Sequence, residues 1–377
     1  MSGRIFFYVQ HLLGIGHLRR AATLARALAR GGFDVLLVSG GAPVAGLDPG
    51  NARFHQLPPL RARDEGLRDL SQLDGTPLDD AFRAGRTRAL LELLRTEAPD
   101  FLITEQFPFG RTQLRFELLP LLEAAKALPR PPRILSSVRD VLRESASAQR
   151  VAETIETFDR FFDGVLVHSD PALVGLDRSF AGWDRIRDRA HYTGYVVDDA
   201  STSAATASSG DVIVSAGGGA VGGPLLRAAI AARPLTSLAD RTWRLLVGGN
   251  LPESEKAALR AGDGVVIEPA RADFTSLLAG SSLSISQAGY NTVVEILVHA
   301  DRAVLVPFAT VRETEQARRA GLLAERGLVQ TVSAEGLDGP ALAACVERAM
   351  AGPSIRSFPR CDANGGAATA SFLAGMA

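Results

Sequence analysis

The segment Ser286-Gln-Ala-Gly-Tyr-Asn-Thr-Val-Val-Glu295 decides the fold and suggests the function, because it ends a predicted strand and opens a predicted helix. Such a junction suits an anion, since the first amide hydrogens of a helix have no partner within the helix and the helix dipole adds partial positive charge. Gly289 leaves room for a ligand beside the backbone, and Glu295 follows at a depth that suits a ribose. The segment therefore predicts a site for the diphosphate and ribose of a nucleotide.

Two polar side chains further along the chain extend this site. The predicted strand Ala303 to Pro307 follows the helix, and Glu315 and Gln316 then open another helical segment, 20 and 21 residues after Glu295. The carboxyl ends of neighbouring parallel strands face one crevice, so these residues are expected to share a ligand. Together they predict a pocket for a nucleotide sugar.

The same segment has a purely structural interpretation. Thr292 to Glu295 fits an N-terminal capping box, in which the glutamate only satisfies the backbone of its own helix. Taken alone, the spacing favours the capping box. The combination of Gly289, Glu295, Glu315 and Gln316 after consecutive strands favours ligand binding instead.

Length and composition set broad limits on the class of protein. The 377 residues exceed what one hydrophobic core usually supports, which favours two domains. With 46% hydrophobic and 22% charged residues, the chain has the composition of an ordinary globular protein. A net charge of -1 provides no overall field for a nucleic acid polymer, so we expect no partner of that kind.

Localisation follows from what the sequence lacks. The two cysteines, Cys345 and Cys361, give neither a metal-ligand spacing nor a disulfide framework, so a reducing cytoplasm is expected. The apolar run Ile5 to Val9 is too short for a signal peptide, and no stretch approaches the ~18 apolar residues of a membrane span. We expect a cytoplasmic protein whose membrane contact, if any, is peripheral.

Strand-like runs alternate with amphipathic helical runs in both halves, which predicts an α/β protein with two doubly wound parallel sheets. In the first half the predicted strands are Arg4 to Val9, Phe33 to Ser39, Phe101 to Thr104, Arg133 to Val138, Gly164 to Ser169 and His191 to Thr193. In the second half they are Asp211 to Ser215, Thr242 to Val247, Gly264 to Ile267, Leu283 to Ser286, Ala303 to Pro307 and Val329 to Val332. A helix over Leu18 to Arg30 follows the first strand and stops at Gly31-Gly32.

The domain bounds follow from an aperiodic run of Asp, Ala, Ser and Thr. We predict an N-terminal acceptor-binding domain over 1–197, a linker over 198–210 and a C-terminal nucleotide-sugar domain over 211–355. The tail, 356–377, has helical composition and is expected to cross back to the first domain.

The loop after the first strand contains Gly14 and Gly16, and His17 begins the helix that follows. A histidine at a helix N-terminus has a lowered pKa and stays neutral, which suits it to take a proton from a sugar hydroxyl. The alternative is a histidine that only positions an acceptor or a phosphate. Glu105 and Asp140, which follow other strands of the same half, are alternative bases.

A second glycine-rich segment, Gly217-Gly218-Gly219-Ala220-Val221-Gly222, fits the Gly-x-Gly-x-x-Gly spacing of a dinucleotide fold. That fold needs an acid after the next strand, but here the strand continues into Val247-Gly248-Gly249-Asn250. We therefore disfavour NAD. The chain also lacks an Asp-x-Asp pair, the usual holder of a divalent ion in metal-dependent sugar transferases, so we expect neither a metal nor another cofactor.

These residues resemble those of glycosyltransferase family 28, whose members have two Rossmann-like domains facing a central cleft, the GT-B fold. The resemblance covers most of the chain and is strongest from Val266 to Val329. Its pattern recurs in the residues Gly289, Thr292, Glu295, Val306-Pro307 and Glu315-Gln316. The first-domain loop ending in His17 matches the family more loosely.

The resemblance implies a role for each matching residue. Glu295 would bind the ribose, Glu315 and Gln316 the donor sugar, and the backbone around Ala270 the base, usually uracil. The diphosphate would lie on Gly289 and its neighbours Gln287, Ala288, Asn291 and Thr292. Apart from the resemblance, we expect Gly217 and Gly218 of the second glycine-rich segment to bind the substrate. His17 would lie near the acceptor hydroxyl and the anomeric carbon of the donor, and we expect the loop glycines Gly14 and Gly16 to bind the substrate.

One departure concerns the donor sugar. Family members often have Asn-Ala shortly after the glutamine, whereas this chain has Arg319-Ala320, so the sugar need not be N-acetylglucosamine. The first loop is also poorer in glycine than is usual, which leaves the acceptor open, with a glycan or a glycolipid as candidates.

The sequence therefore predicts an inverting, metal-independent hexosyltransferase that moves a sugar from a nucleotide diphosphate, expected to be UDP, to an acceptor hydroxyl. Two alternatives keep the same pocket. One is a nucleotide-sugar hydrolase or 2-epimerase, and the other is a non-catalytic binding module.

Overall fold

The computed structural model describes residues 3–12, 14–63, 69–143, 147–197, 209–217, 221–308 and 314–376. Its contacts divide the chain into two compact units. The first contains residues 1–171, 175–196 and 364–377, and the second contains 172–174 and 197–363. Of the predicted linker, only Ser209 and Gly210 are among the described residues.

The strands of the first unit are β1 (Arg4–Val9), β2 (Asp34–Ser39), β3 (Arg53–Gln56), β4 (Arg61–Ala62), β5 (Leu70–Ser71), β6 (Phe101–Glu105), β7 (Arg133–Val138), β8 (Gly164–Val167) and β9 (Ala190–Tyr192). Its first helices are α1 (Gly16–Arg30), α2 (Asp80–Glu97), α3 (Arg115–Lys126), α4 (Ala148–Phe161) and α5 (Trp183–Ile186). Among the described residues, seven strands form a parallel sheet in the order β3-β2-β1-β6-β7-β8-β9, and β4 pairs with β5 in a small antiparallel ribbon.

The strands of the second unit are β10 (Val212–Ser215), β11 (Trp243–Val247), β12 (Val265–Pro269), β13 (Leu283–Ser286), β14 (Ala303–Leu305) and β15 (Gln330–Thr331). Its helices are α6 (Gly223–Ala232), α7 (Glu253–Ala258), α8 (Phe274–Gly280), α9 (Tyr290–His299), α10 (Glu315–Glu325) and α11 (Gly339–Ala351). The described strands form a second parallel sheet in the order β12-β11-β10-β13-β14-β15. The predicted strands are thus confirmed, with ends that differ by at most two residues.

The strands are buried on both faces because helices cover each sheet on two sides. In β1, Phe6 and Tyr8 pack into one apolar cluster with residues of α2 and α3. The alternate residues Ile5 and Phe7 pack into a second cluster with residues of α1. This alternation explains why the strands appear in the sequence as continuous apolar runs rather than as alternating ones.

A buried polar network supports the loop that follows β1. Arg86 of α2 donates from Nε to Glu117 of α3 at 2.5 Å and from Nη2 to the side-chain oxygen of Gln10 at 2.8 Å. Tyr8 donates to the other Glu117 oxygen at 2.5 Å. Because all four groups are buried and hydrogen-bonded, they fix Gln10, the first residue after β1.

The chain returns to the first unit at Asn364 and ends in helix α12 (Gly365–Ala374), which packs on α1. The crossing depends on small residues. A Cβ atom on Gly366 would lie 2.5 Å from the Cβ atom of Ala27, and one on Gly31 would lie 2.7 Å from that of Ala370. None of the described helices is long and apolar enough to cross a membrane.

The Gly366→Ala substitution tests this crossing. Within a helix, a change from glycine to alanine normally stabilises by roughly 0.5–1 kcal/mol, but the contact with Ala27 should reverse the sign and destabilise by about 1–3 kcal/mol. Denaturant unfolding gives the difference. The matched control is Gly321→Ala in α10, where the new Cβ atom meets nothing within 4 Å and a small gain is expected. A gain in both variants would show that the helices do not pack this closely.

Candidate functional site

In each parallel sheet there is one pair of neighbouring strands at which the strand order reverses. From β1 the chain continues to β2 and β3 on one side, whereas β6 lies on the other side of β1 and leads outward to β7. The loops after β1 and β6 therefore lead to opposite sides at the carboxyl edge of the sheet, which is where ligands bind in sheets of this kind. In the second unit the same reversal falls between β10 and β13.

The first reversal brings together two of the predicted catalytic residues. His17 is the second residue of α1, and its Nδ1 atom lies 2.7 Å from Oε1 of Glu105, the last residue of β6. Arg20, one turn further along α1, donates from Nη2 to both oxygens of the same carboxylate. All three side chains are buried except for a small exposed part of His17.

The charges of this cluster fix the tautomer of His17. Burial alone would raise the pKa of Glu105, but the Arg20 guanidinium and the hydrogen bond from His17 lower it well below its usual value. Glu105 is therefore ionised and can only accept hydrogen bonds. Nδ1 of His17 must then carry the hydrogen, which leaves the lone pair on Nε2 for a proton.

The environment also keeps His17 neutral. Burial lowers its pKa well below the usual value of 6.5, and the positive charges of Arg139 and Arg111 lower it further. Glu105 opposes these effects without overcoming them. A neutral imidazole held by an ionised carboxylate has the arrangement of a general base.

A series of buried polar side chains, beginning with Ser137, contacts the Oε2 atom of Glu105. Ser137 of β7 donates from Oγ to Oε2 of Glu105 at 3.0 Å and lies 3.1 Å from Nε2 of His168. Nδ1 of His168 lies 2.8 Å from Oγ1 of Thr193. Burial lowers the pKa of His168 well below its usual value, so it connects the other groups as a neutral ring.

The other predicted residues of the first unit lie in different settings. Asp140 is fully buried, and its Oδ1 atom accepts from the backbone N–H of Val141 at 2.8 Å. Gly14 is exposed, and a Cβ atom there would meet nothing within 4 Å. Gly16 is the first residue of α1.

Motif spacing did not single out Arg20, Ser137 or His168. One signal was available: Arg20 lies three residues after His17 on a helix, which places both side chains on one face. Ser137 and His168 contact residues that are 25 to 32 positions away in the sequence, so no local spacing indicates these contacts.

At the second reversal, Gln287, the first residue after β13, contacts β10 and the segment that follows it. The backbone N–H of Gln287 donates to the carbonyl of Ser215 at 3.1 Å, and its side chain donates to the carbonyl of Val221 at 3.4 Å. Gly217 has φ +66°, a conformation that favours glycine. The predicted residue Gly218 lies outside the described residues.

Helix α9 begins two residues before the predicted capping box. Its first residue is Tyr290, its N-cap is Gly289, and no side chain caps it. Thr292 is therefore the third helical residue, so the capping-box alternative is wrong. Asn291, Thr292 and Glu295 are each partly exposed on this helix.

The fold does not require a glycine at position 289. Its φ of −63° and ψ of 145° are open to any residue, and a Cβ atom there would meet nothing within 4 Å. Ala288 before it is buried, and Gln287 is partly exposed. The space beside Gly289 is therefore available to a ligand at the amino end of a ten-residue helix.

The remaining predicted residues lie at neighbouring strand ends. Glu315 is the first residue of α10, as predicted, and Gln316 accepts at Oε1 from the backbone N–H of Phe308 at 3.1 Å. Ala270 is exposed after β12, and its N–H donates to the carbonyl of Val247 at 3.0 Å. Gln316 thus holds the backbone at Phe308, three residues after β14.

Residues 213–368 match the model of the glycosyltransferase family 28 C-terminal domain. Among curated proteins, the chain is 36% identical over 90 residues to a UDP-N-acetylglucosamine--N-acetylmuramyl-(pentapeptide) pyrophosphoryl-undecaprenol N-acetylglucosamine transferase of Exiguobacterium, a match covering 24% of this chain and 25% of the relative. It is 28% identical over 133 residues to the protein of the same name from Acidithiobacillus ferrooxidans, covering 34% of this chain and 37% of that one. The match thus spans about a quarter to a third of these relatives.

The fold is similar to solved structures over nearly the whole chain. Acinetobacter baumannii MurG aligns with a TM-score of 0.62 and 15% identity, over 99% of this chain and all of the other. The calicheamicin glycosyltransferase CalG4 also gives a TM-score of 0.62, with 15% identity over 93% of this chain and 91% of the other. The predicted resemblance and the predicted fold are both confirmed: residues 213–368 match the glycosyltransferase family 28 C-terminal domain, and the chain has the GT-B fold.

Proposed function

We propose that this protein is an inverting, metal-independent glycosyltransferase that moves a sugar from a nucleotide diphosphate, with UDP as the nucleotide, to an acceptor hydroxyl. The observation that carries the proposal is the junction at Gly289, which lies at the sheet reversal and within the region that matches family 28. Its glycine leaves space that the fold itself does not use.

In this proposal the second unit binds the donor. The amides at the start of α9 receive the diphosphate, together with backbone groups of the two facing loops. Those groups belong to Gly217, Gln287, Ala288, Gly289, Asn291 and Thr292. Gly218, which lies outside the described residues, is proposed to bind the donor on the sequence alone. Glu295 binds the ribose, Ala270 the base, and Glu315 and Gln316 the sugar. The curated relatives are named for transfer from UDP-N-acetylglucosamine, which supports UDP.

The first unit supplies the base and binds the acceptor near Gly14 and Gly16. His17 takes the proton from the acceptor hydroxyl at Nε2, and Glu105 orients the ring and stabilises the imidazolium that forms. The low pKa of Glu105 makes it a poor base, so it acts through His17. Asp140 is buried and bonds to its own loop, so we assign it a structural role instead.

The acceptor oxygen attacks the anomeric carbon from the side opposite the nucleotide, so the C–O bond to the diphosphate breaks as the new glycosidic bond forms. A single displacement of this kind inverts the configuration. The negative charge that develops on the departing diphosphate is stabilised by amide hydrogens and the helix dipole, which requires no metal ion. We propose that the acceptor is a hydroxyl of a glycan or a glycolipid. We also propose that the protein is cytoplasmic and contacts the membrane only peripherally.

The Gly289→Ala substitution tests the donor site without disturbing the fold. Because the new methyl group contacts nothing in the protein but occupies the space beside the amides, it should weaken UDP binding by about tenfold or more, which is about 1.4 kcal/mol. Titration calorimetry measures the affinity, and thermal unfolding should show an unchanged Tm.

The matched control is Gly262→Ala, which is equally open but precedes β12 and so lies at the other edge of the sheet. It should bind UDP as the unmodified chain does. Absence of UDP binding by the unmodified chain would contradict the donor site, and equal affinity in both variants would remove Gly289 from it.

The His17→Asn substitution tests the base. Asparagine retains a hydrogen-bond donor for Glu105 but has no basic nitrogen, so transfer should fall by about 10²–10⁴ with UDP affinity unchanged. The assay follows UDP release from UDP-sugars with a panel of acceptors, and His55→Asn on edge strand β3 serves as the control.

Three outcomes of this assay would count against the proposal. Full activity in His17→Asn would exclude His17 as the base. UDP or sugar released without an acceptor would indicate a hydrolase or a 2-epimerase. UDP-sugar binding with no turnover by the unmodified chain would indicate a binding module.

The pH profile tests the electrostatics around His17. Because its pKa lies well below 6.5, the free base is present above that pH, and kcat/KM should decline only on the acid side of 6.5. Removing a nearby positive charge with Arg139→Gln should raise this pKa and move the acid limb to higher pH. Arg348→Gln on the exposed face of α11 should not, and an unmoved limb in Arg139→Gln would refute this account.

A further inference from the structure

A buried arginine lies directly behind the proposed diphosphate site. Arg319 is the fifth residue of α10 and is only 1% exposed. Its Nη1 atom donates to the backbone carbonyl of Ala288 at 2.8 Å. Arginine stays charged in proteins, and taking a charge out of water costs several kcal/mol before its contacts offset that cost. The hydrogen bond to Ala288 is one of the contacts that offset this cost.

The hydrogen bond controls the amide that follows. A trans peptide is planar, and its C=O and N–H groups point in opposite directions. Because Arg319 holds the carbonyl of Ala288 toward α10, the N–H of Gly289 in the same peptide is directed away from α10. That N–H is the first of the amides at the start of α9.

The same guanidinium also contacts the next residue. The Cζ atom of Arg319 lies 5.8 Å from the centre of the Tyr290 ring, within the range of a cation–π contact. Tyr290 is buried and is the first residue of α9. Arg319 therefore contacts the residues on both sides of Gly289, and its guanidinium lies beside the amino end of α9, the positive end of the helix dipole.

We infer that Arg319 is a positioning residue for the diphosphate of the donor. It fixes the direction of the Gly289 amide and adds a full positive charge to the partial charge of the helix end, so that the site favours a diphosphate over the uncharged part of the nucleotide. This inference rests on the proposed function.

The test compares UDP with uridine, which lacks the diphosphate. In Arg319→Gln the amide can still donate to Ala288 but the charge is lost, and in Arg319→Met both are lost. Affinity for UDP should fall by about tenfold in Arg319→Gln and by about 100-fold in Arg319→Met, whereas uridine affinity should stay within about twofold. Ligand-observed NMR and calorimetry measure both ligands, and Arg348→Gln is the control for loss of one charge.

The outcomes separate this inference from the proposal beneath it. If the unmodified chain binds no UDP, the proposed function fails. If it binds UDP and the Arg319 variants lose UDP and uridine equally, Arg319 only stabilises the fold and the inference is overturned. Unchanged UDP affinity in both variants would also overturn it. Denaturant unfolding of each variant shows that the protein measured is folded.

Discussion

The direction in which the chain leaves two neighbouring parallel strands constrains everything else in this molecule. Where β1 and β6, or β10 and β13, lead to opposite sides of their sheet, the loops after them cannot fill the space between them. Backbone amides and helix ends at such a place are available to a ligand without removing any side chain from the apolar core. His17 and Glu105 meet at one such reversal, and Gly217 and Gln287 lie close together at the other, so the topology of the sheets decides which candidate residues come together.

A buried arginine lies near each of the two strand-order reversals, and the two arginines contact different kinds of group. Arg20 donates hydrogen bonds to Glu105 and so keeps that carboxylate ionised. The ionised carboxylate can only accept a hydrogen bond, and it therefore fixes neutral His17 in one tautomer. Arg319 donates to the backbone carbonyl of Ala288, beside the first residues of α9. Buried ions seldom add stability compared with apolar residues of the same size, so both placements are better explained by orientation than by folding.

Sequence alone predicts the sheets well and their contacts poorly. Strands such as Arg133–Val138 are apolar runs because both faces are covered, whereas β3, with Arg53, His55 and Gln56, is an edge strand that shows no such pattern and was not predicted. The capping box failed because Gly289 caps α9 without a side chain, a fact of backbone conformation that Thr292 and Glu295 could not reveal. Arg20 and Glu105 are separated by 85 residues, and only the fold brings them together.

The low pKa of His17 has a consequence for how the proposed reaction divides its work. A histidine held neutral by burial is also a weaker base, so it cannot remove a sugar hydroxyl's proton before attack begins. Proton transfer has to accompany formation of the glycosidic bond, when the acceptor oxygen becomes acidic. The barrier then depends on how readily the diphosphate leaves, and this places the larger demand on the amides of α9 and on the charge behind them. In the proposed reaction, a weak base is therefore sufficient because the leaving diphosphate is strongly stabilised.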